Sequence, residues 1–351
     1  MIGIDPGTVS VDLCGLEDGT VFLDLSIPTS DALSSPSRIP DLLEQAAPID
    51  LVVGPSGYGL PLTAARDLTD RDLKLAFLAA DGEAGGIGGL RALLRALARL
   101  SMPVLLTPGV IHLATVPAHR KVNRVDMGTA DKVCAVVLAL KERTDMSFIL
   151  LELGGAFTAA VAVDDGRIVD GVGGSSGPIG MRAAGALDGE VAFLAGTVGK
   201  NMIFSGGADA IAGAPGISAA ALADSRSLPG RTAWEAYMES AAKAVAALAV
   251  AVPQARDVVL SGRGARSARV RDELAHRLLG VVDGVAVHVL DGFAKSSSQA
   301  AQGAALMADG LAGGGSKALI DRLDIRGATG TVLDHLFVID RARARARLGI
   351  S

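Results

Sequence analysis

The chain has 351 residues, of which 50% are apolar and only 3% aromatic, so it can bury the aliphatic cores of about two domains. Its net charge of −5 excludes the strongly basic surface typical of nucleic-acid-binding proteins. Cys14 and Cys134 are too few and too far apart to indicate a zinc site or a disulfide framework. No apolar stretch reaches the ~18 residues that a membrane span needs, and the first residues predict a strand rather than a signal peptide. We therefore expect a cytoplasmic protein with no nucleic-acid or membrane partner.

The chain begins with a predicted hairpin unit. An apolar strand at residues 2–4 runs into Asp5 and a tight turn that contains glycine. Two further apolar strands, at residues 11–16 and 20–25, flank the pair Asp18-Gly19. An Asp-Gly pair between two apolar runs indicates a two-residue hairpin turn, because that turn requires positive φ at its centre.

The same unit returns in the middle of the chain. An apolar strand at residues 148–151 runs into Glu152 and a second glycine turn, and Asp165-Gly166 lies between the next two apolar strands. The two acids (152 − 5 = 147) and the two hairpin pairs (165 − 18 = 147) share one offset. Two features that match at one offset predict a duplicated supersecondary unit. The alternative is coincidence, since Asp-Gly hairpins are common.

Strands and helices alternate after each hairpin unit, which predicts an α/β fold with parallel strands. The pattern divides the chain into an N-terminal half at 1–145, a C-terminal half at 146–310 and an extension at 311–351. A region rich in Gly and Ala near 171–232 interrupts the second half. The other predicted strands are 50–53, 103–106, 257–260 and 285–290, and the predicted helices are 90–97 (after glycines at 85, 86, 88 and 89), 130–140, 241–252, 266–279 and 299–311.

The two glycine turns are the candidate phosphate-binding elements, since the chain has no GxxxxGK[ST] loop. Glycine lets the backbone turn sharply and approach a phosphate closely. On this hypothesis Asp5 and Glu152 hold Mg²⁺, directly or through water. The alternative is that each acid only caps its own turn. The residues predicted to contact the phosphates of ATP are Gly7, Thr8, Gly154, Gly155 and Thr158.

A third glycine turn follows the predicted strand 257–260. Ser261, Gly262 and Gly264 leave room there for a flat base and ribose against the backbone, so they are the candidate adenosine contacts. An ordinary strand–helix connection is the alternative interpretation of this turn.

In this order the motifs resemble the superfamily of acetate and sugar kinases, heat-shock chaperones and actin. The turn at 5–8 resembles its first phosphate motif, 152–155 with Thr158 its second, and 260–264 its adenosine motif. Helices at 131–140 and 302–305 resemble the two that cross between its domains. The resemblance implies two duplicated ribonuclease H-like (actin-like ATPase) domains, with a cleft between them that binds ATP and Mg²⁺. More narrowly, the segment 121–132 resembles a mostly archaeal family labelled predicted butyrate kinase, and the likeness to acyl kinases implies a homodimer.

The polar segment 120–132 contains the candidate catalytic residues, Arg124 and Asp126. Arg124 suits a carboxylate acceptor through bidentate pairing, and such an acceptor needs no general base. A hydroxyl acceptor needs one, and Asp126 is then the candidate. Asp126 could instead orient Arg124, assist the metal or, like Thr129, cap the following helix.

We therefore expect a kinase that converts a small, butyrate-like carboxylate to an acyl phosphate. The alternatives are a kinase for a sugar or other hydroxyl compound, with Asp126 as base, and an ATP-dependent switch or assembly protein. His112 lies seven positions before His119, with Pro117 between them, and we interpret His112 as structural.

Overall fold

The structure, a computed structural model, describes residues 1–83 and 89–350. The glycines at 85, 86 and 88 therefore lie outside the described residues. The chain divides into two compact units. Unit 1 comprises Met1–Val125, Thr129–Thr144 and Asp291–Ser351, and unit 2 comprises Asp126–Gly128 and Asp145–Leu290.

Strands and helices alternate along much of the chain. The strands are β1 (Ile2–Pro6), β2 (Ser10–Glu17), β3 (Thr20–Pro28), β4 (Val52–Pro55), β5 (Thr63–Ala64), β6 (Val104–Thr107), β7 (Phe148–Leu153), β8 (Thr158–Asp164), β9 (Arg167–Val172), β10 (Asp257–Ser261) and β11 (Ala286–Val289). The helices are α1 (Thr29–Ala32), α2 (Arg38–Gln45), α3 (Asp70–Phe77), α4 (Leu90–Leu97), α5 (Ala118–Lys121), α6 (Ala130–Glu142), α7 (Gly189–Ala195), α8 (Lys200–Ile203), α9 (Ala208–Ile211), α10 (Ala219–Ala223), α11 (Leu228–Ala249), α12 (Ala268–Leu278), α13 (Gln299–Leu311), α14 (Lys317–Leu323) and α15 (Arg341–Arg347).

Unit 1 is built on a six-stranded sheet in the order β3-β2-β1-β4-β6-β5. The first three strands form an antiparallel meander, and β1, β4 and β6 run parallel. Buried apolar side chains such as Ile4 and Val53 fill these central strands, as expected for a sheet that is covered by helices.

Helix α13 packs directly on β1 and on α6. A Cβ atom on Gly3 would lie 2.2 Å from the carbonyl oxygen of Ala301 and 2.2 Å from the backbone nitrogen of Ala305. A Cβ atom on Gly303 would lie 1.8 Å from the carbonyl oxygen of Cys134. Both distances are far below van der Waals contact, so glycine at these positions is what allows α13 to approach the sheet and its neighbouring helix so closely.

Unit 2 is built on a five-stranded sheet in the order β11-β10-β7-β8-β9. Strands β7, β10 and β11 are parallel, and β7, β8 and β9 form an antiparallel meander. The 22-residue helix α11 packs on β7, β8 and β9. Leu151, Leu153 and Leu260 share one core with Tyr237 of α11. Because side chains alternate along a strand, Glu152 and Ser261 lie on the opposite face.

The duplication predicted from the sequence is present in the strand register. Asp5 pairs with Asp12 between β1 and β2, and Glu152 pairs with Ala159 between β7 and β8. Both members of the pair are shifted by the offset already found in the sequence (152 − 5 = 159 − 12 = 147). Every other pair between β1 and β2 recurs between β7 and β8 at the same shift.

The repeat extends to the irregular features of the meanders. One register shift falls between residues 15 and 16 in unit 1, and another falls between residues 162 and 163 in unit 2, at the same offset (162 − 15 = 147). The hairpin turns match as well, with φ of 49° at Asp18 and 45° at Asp165. Matching bulges and turns confirm the prediction of two copies of one α/β unit, since a bulge has a fixed place in a related pair of sheets.

Some elements differ from their predicted bounds. The helix predicted at 241–252 spans Leu228–Ala249, because Ser227 caps it with a hydrogen bond to the N–H of Gly230. The region 171–232 holds four short helices, α7 to α10, ahead of α11. Unit 1 is not contiguous in sequence, unlike the predicted halves, because α13 packs on β1. No helix in the described part of the chain is both long and apolar enough to cross a membrane.

Candidate functional site

The turn after β1 presents the first predicted acid. The Gly7 N–H donates to the carbonyl of Ser10 (2.8 Å), and this bond closes the turn that follows Asp5. The Ser298 hydroxyl donates to Oδ2 of Asp5 (2.7 Å), and Ser298 also caps α13. The Thr29 hydroxyl donates to the carbonyl of Gly7 (2.8 Å). The backbone of Gly7 is therefore engaged within the turn, and its role there is to shape the loop.

The turn after β7 repeats this arrangement. The Gly154 N–H donates to the carbonyl of Phe157 (2.9 Å), which is the equivalent bond in the second copy of the unit. Thr8 and Gly155 occupy equivalent places (155 − 8 = 147), and within the described residues neither backbone N–H donates a hydrogen bond. These two N–H groups remain available to an anion such as a phosphate oxygen.

Asp131, which was not among the predicted site residues, carries a second carboxylate near Asp5. Burial raises the pKa of Asp5 to about 8, and the charge of Asp131 adds to this rise. Burial also acts to raise the pKa of Asp131. Two contacts outweigh burial and lower that pKa: the Nζ atom of Lys132 lies 2.5 Å from Oδ2 of Asp131, and the Thr129 hydroxyl donates a hydrogen bond to Oδ1. In this pair Asp131 is the carboxyl group that is held ionised, whereas burial and the charge of Asp131 favour the protonated form of Asp5.

In unit 2, Glu152 lies at the end of β7 between two glycine turns. A Cβ atom on Gly154 would lie 3.3 Å from Oε1 of Glu152, and one on Gly262 would lie 3.1 Å from its Cγ. Gly262 also has φ of 81°, so both the lack of space for a side chain and the positive φ favour glycine at this position. Ser261 pairs with Glu152 across the parallel ladder, and its buried hydroxyl has no hydrogen-bond partner among the described residues. A buried hydroxyl without a partner is costly, so a bound ligand or water would stabilise it.

Thr158 lies on the opposite face of the unit 2 sheet. Its side chain is fully buried, and its hydroxyl, like that of Tyr237, has no hydrogen-bond partner in the described part of the chain. Burial raises the pKa of Tyr237. A Cβ atom on Gly264 would lie 3.3 Å from Oη of Tyr237, so the predicted adenosine turn packs over this pair. The repeat aligns Thr158 with Val11 (158 − 11 = 147), so it is not the counterpart of Thr8.

Asp126 is bound within unit 2. Its Oδ2 accepts from the Ser175 N–H (2.9 Å) and from the Ser175 hydroxyl (2.8 Å), and its Oδ1 accepts from the Gly128 N–H (3.2 Å). A Cβ atom on Gly173 would lie 1.7 Å from Oδ1, so the loop from residue 173 encloses this carboxylate. Asp126 is not the cap of α6; the N-cap position belongs to Thr129, whose side chain donates to Asp131 instead.

Arg124 lies in unit 1 and is exposed. The preceding residue, Asn123, has φ of 53°, and its side-chain oxygen accepts from the backbone N–H groups of Phe337 (2.7 Å) and Val338 (3.0 Å). The Asn123 N–H donates to the carbonyl of His335 (2.8 Å). The segment that presents Arg124 is therefore anchored to the C-terminal part of the chain, which no local sequence pattern could have revealed.

Asp5 and Asp131 of unit 1 are suitable ligands for Mg²⁺. No group of three or more His, Cys, Asp or Glu side chains placed to hold a metal ion occurs among the residues that the structure describes. Mg²⁺ is usually held by one or two carboxylates, with water and substrate phosphates completing its octahedron. A cation beside Asp5 would also offset the repulsion from Asp131 and favour the ionised form.

Residues 3–338 match the profile of a family described as Protein of unknown function (DUF1464). The chain belongs to this family. No curated protein matches the sequence significantly.

Solved structures resemble this member of the DUF1464 family over most of its length. Acetate kinase from Entamoeba histolytica has 13% identity and a TM-score of 0.59, and the match covers 80% of this chain and 86% of that one. A propionate kinase from Francisella tularensis has 12% identity and a TM-score of 0.59, with 86% and 98% covered. Acetate kinase from Porphyromonas gingivalis has 14% identity and a TM-score of 0.59, with 86% and 97% covered.

These likenesses, together with the duplicated sheets, show the fold. This DUF1464 protein has the fold of these acetate and propionate kinases, with two related α/β units of the ribonuclease H-like (actin-like ATPase) kind. Sequence identities this low show the fold and leave the reaction to be argued from the residues.

Proposed function

We propose that this protein is an ATP- and Mg²⁺-dependent kinase that phosphorylates a small carboxylate to an acyl phosphate. The observation that carries the proposal is the repeated turn. Each unit has an acid near the end of its first strand, Asp5 or Glu152, and follows it with the same hydrogen-bonded glycine turn. A protein that grips a triphosphate needs backbone donors and carboxylates for the metal, and the repeat supplies both twice.

The two turns have distinct parts in this proposal. Asp5 and Glu152 hold Mg²⁺, which neutralises phosphate charge and orients the transferred group when it is bound. The N–H groups of Thr8 and Gly155 donate to phosphate oxygens. Gly7 and Gly154 fix the turns, because their own N–H groups are already used. The Ser261 hydroxyl, buried and without a partner among the described residues, donates to the nucleotide next to the Gly262 and Gly264 turn.

The state of Asp126 favours a carboxylate acceptor over a hydroxyl acceptor. A general base must have a lone pair free to take the proton of the acceptor. Oδ2 of Asp126 accepts two hydrogen bonds from Ser175 and Oδ1 accepts one from Gly128, so three of about four lone-pair sites are used. The backbone of Gly173 packs against Oδ1, which carries the fourth site. A carboxylate acceptor is already anionic and needs no base, so the enzyme has only to position it and neutralise charge. Arg124, exposed and held by its anchored segment, binds the acid or the transferring phosphoryl group.

The test is a hydroxylamine-trapping assay of the purified protein with ATP, Mg²⁺ and a panel of short carboxylates. Butyrate is the first acid to test, because of the likeness of segment 121–132 to predicted butyrate kinases. We expect hydroxamate with at least one acid. Arg124→Ala should abolish it while ATP binding persists, and Arg99→Ala, an exposed arginine elsewhere in unit 1, should leave it unchanged.

The metal and acceptor assignments have their own controls. Glu152→Gln should weaken Mg²⁺-dependent ATP binding and leave the fold intact, since the side chain keeps its shape. Hydroxamate formation that survives both Glu152→Gln and Arg124→Ala would contradict the assigned roles. ATP binding without hydroxamate from any acid would favour a hydroxyl acceptor or a nucleotide-dependent switch, and Asp126→Asn would then separate these two. The homodimer stays a prediction, to be tested by light scattering.

A further inference from the structure

A cavity of about 270 Å³ lies within unit 1, apart from the residues used in the proposed kinase mechanism. It opens beyond the carboxyl ends of the parallel strands β4 and β6, which is where open α/β sheets bind ligands. Drug-sized ligands occupy pockets of roughly 300–1,000 Å³, so this volume suits a smaller molecule. Its lining residues are Gly59, Leu60, Pro61, Thr63, Arg71, Asp72, Leu75, His112, Gly330, Thr331 and Val332.

His112 is the unusual residue in this cavity. Its side chain is 1% exposed, and neither ring nitrogen has a hydrogen-bond partner among the described residues. A buried imidazole without partners carries a desolvation cost, which a bound water or a polar ligand would offset. Burial lowers the pKa of His112 to about 4; the backbone of Gly109 and the charge of Asp334 oppose this shift, and Lys121 reinforces it. The ring is therefore neutral near pH 7 and presents one N–H donor and one acceptor.

The loop that carries Gly59 packs closely against the ring of His112. Gly59 has φ of 116°, and a Cβ atom there would lie 2.8 Å from Nδ1 of His112 and 2.5 Å from the Gly109 backbone nitrogen. The loop that carries Gly59 is fixed by Ser56, whose hydroxyl donates to the carbonyl of Thr107 (2.6 Å) and accepts from the N–H of Leu60. The loop that forms this wall of the cavity is therefore held in place by hydrogen bonds.

The cavity lining has one positive and one negative side chain, Arg71 and Asp72, and the carboxylate of Asp72 is directed at Thr69. Asp72 already accepts from the N–H and the hydroxyl of Thr69 as part of the capping box of α3. Arg71, at the rim, has no ion-pair partner within the described residues. An anion is therefore favoured over a cation. The buried apolar walls, formed by Leu60, Leu75 and Val332, favour an anion with a short aliphatic part over a bare phosphate.

We propose that this cavity binds a small aliphatic carboxylate, with the carboxylate held by Arg71 and the N–H of His112. Arg pairs with carboxylates in a bidentate geometry, and the imidazole N–H supplies a further donor. Two kinds of ligand have this chemistry: the acceptor of the proposed kinase, and an effector that binds without reacting. Binding itself does not depend on any kinase activity.

The experiment is calorimetric titration of the whole protein with sodium butyrate, without nucleotide. Butyramide and 1-butanol serve as uncharged isosteres, and propylammonium serves as the cation. We expect butyrate to bind and the other three to bind at least about tenfold more weakly. Arg71→Gln should weaken butyrate binding about tenfold or more, whereas Arg66→Gln, a nearby arginine whose side chain is 82% exposed and which does not line the cavity, should not change it.

The outcomes separate this inference from the proposed function. Absence of butyrate binding, or equal binding by the wild type and Arg71→Gln, overturns the cavity assignment. Binding lost in Arg124→Ala and kept in Arg71→Gln also overturns it, and leaves the carboxylate kinase standing. If His112→Asn fails to fold, Thr63→Val gives a second test of the same wall. A kinase assay distinguishes the two kinds of ligand. If the acid in the cavity is the acceptor, Arg71→Gln raises the KM for that acid, and if it is an effector, the KM is unchanged.

Discussion

Replacing Gly3 with alanine tests the packing of α13 on β1. The new Cβ would lie 2.2 Å from backbone atoms of Ala301 and Ala305, so no side-chain rotation can relieve the overlap. Helix α13 would have to move by about 1 Å or more to restore contacts of ~3.5 Å. A gap of that size loses a quarter to a half of each dispersion contact nearby, and overpacking typically costs ~1–3 kcal/mol. We expect Gly3→Ala to lower the free energy of unfolding by about 3 kcal/mol.

Gly54 gives a matched control on the neighbouring parallel strand. A Cβ atom there would lie 3.9 Å from Cβ of Ile4, an ordinary contact. Alanine reduces the entropy of the unfolded chain, so Gly54→Ala should be neutral or stabilising by about 0.4–1 kcal/mol. Thermal unfolding of both variants provides the comparison, and ~3 kcal/mol corresponds to a drop of about 6–12 °C for a unit of this size.

Hydrogen exchange gives this prediction a local readout. Peptides from β1 and α13 should exchange faster in Gly3→Ala than in Gly54→Ala, because the helix no longer packs against the strand. A loss of stability below about 0.5 kcal/mol in Gly3→Ala, with unchanged exchange in α13, would refute the contact between β1 and α13 on which the structure of unit 1 depends.

Three further predictions concern titration, thiol reactivity and the surface. The pKa of His112 is about 4 in the folded protein and ~6.5 in the unfolded chain. Between these two pH values the unfolded chain binds more protons, so the free energy of unfolding falls as the pH drops, by up to about 3 kcal/mol. Urea unfolding from pH 7 to 4 should show a flatter profile in His112→Asn. Burial raises the pKa of Cys14 to about 11 and also raises that of Cys134, so Ellman's reagent should label neither thiol in the folded protein and both after unfolding. Phe193 on α7 is 77% exposed, so Phe193→Ser should change stability by no more than about 0.5 kcal/mol; a larger loss would reveal that a second chain covers it.

Local signals explain which parts of the fold the sequence could predict. The hairpins were predicted because Asp-Gly pairs between apolar runs act over a few residues. Helix 299–311 was also predicted to the residue, and in the structure Ser298 is its N-cap. The extent of α11 was underestimated because its N-terminal turns have a mixed surface, with exposed Arg231 and Glu235 on either side of buried Ala233 and Trp234.

The parts of the site that depend on long-range contacts were missed. Asp131 and Ser298 approach Asp5 only because α13 packs on β1 and α6 packs on α13, and no spacing in the sequence encodes these contacts. The loop that binds Oδ2 of Asp126 lies far along the chain, in another segment of unit 2, as the two Ser175 hydrogen bonds show. His112 was interpreted as structural, since a lone histidine in an apolar stretch gives no sign of whether its ring nitrogens find partners.

The discontinuity of unit 1 has a consequence for how the chain is made. Residues 1–144 emerge from the ribosome first, yet their sheet lacks α13 until residues beyond 310 have been synthesised. At ~5–20 residues per second the intervening stretch takes on the order of 10 s, during which the apolar surface of β1 and α6 that α13 covers stays open to water or to a chaperone. Unit 2, whose residues 145–290 are contiguous apart from the short strip at 126–128, can complete its own sheet within that interval. The nascent chain would then acquire its second copy of the repeat before its first.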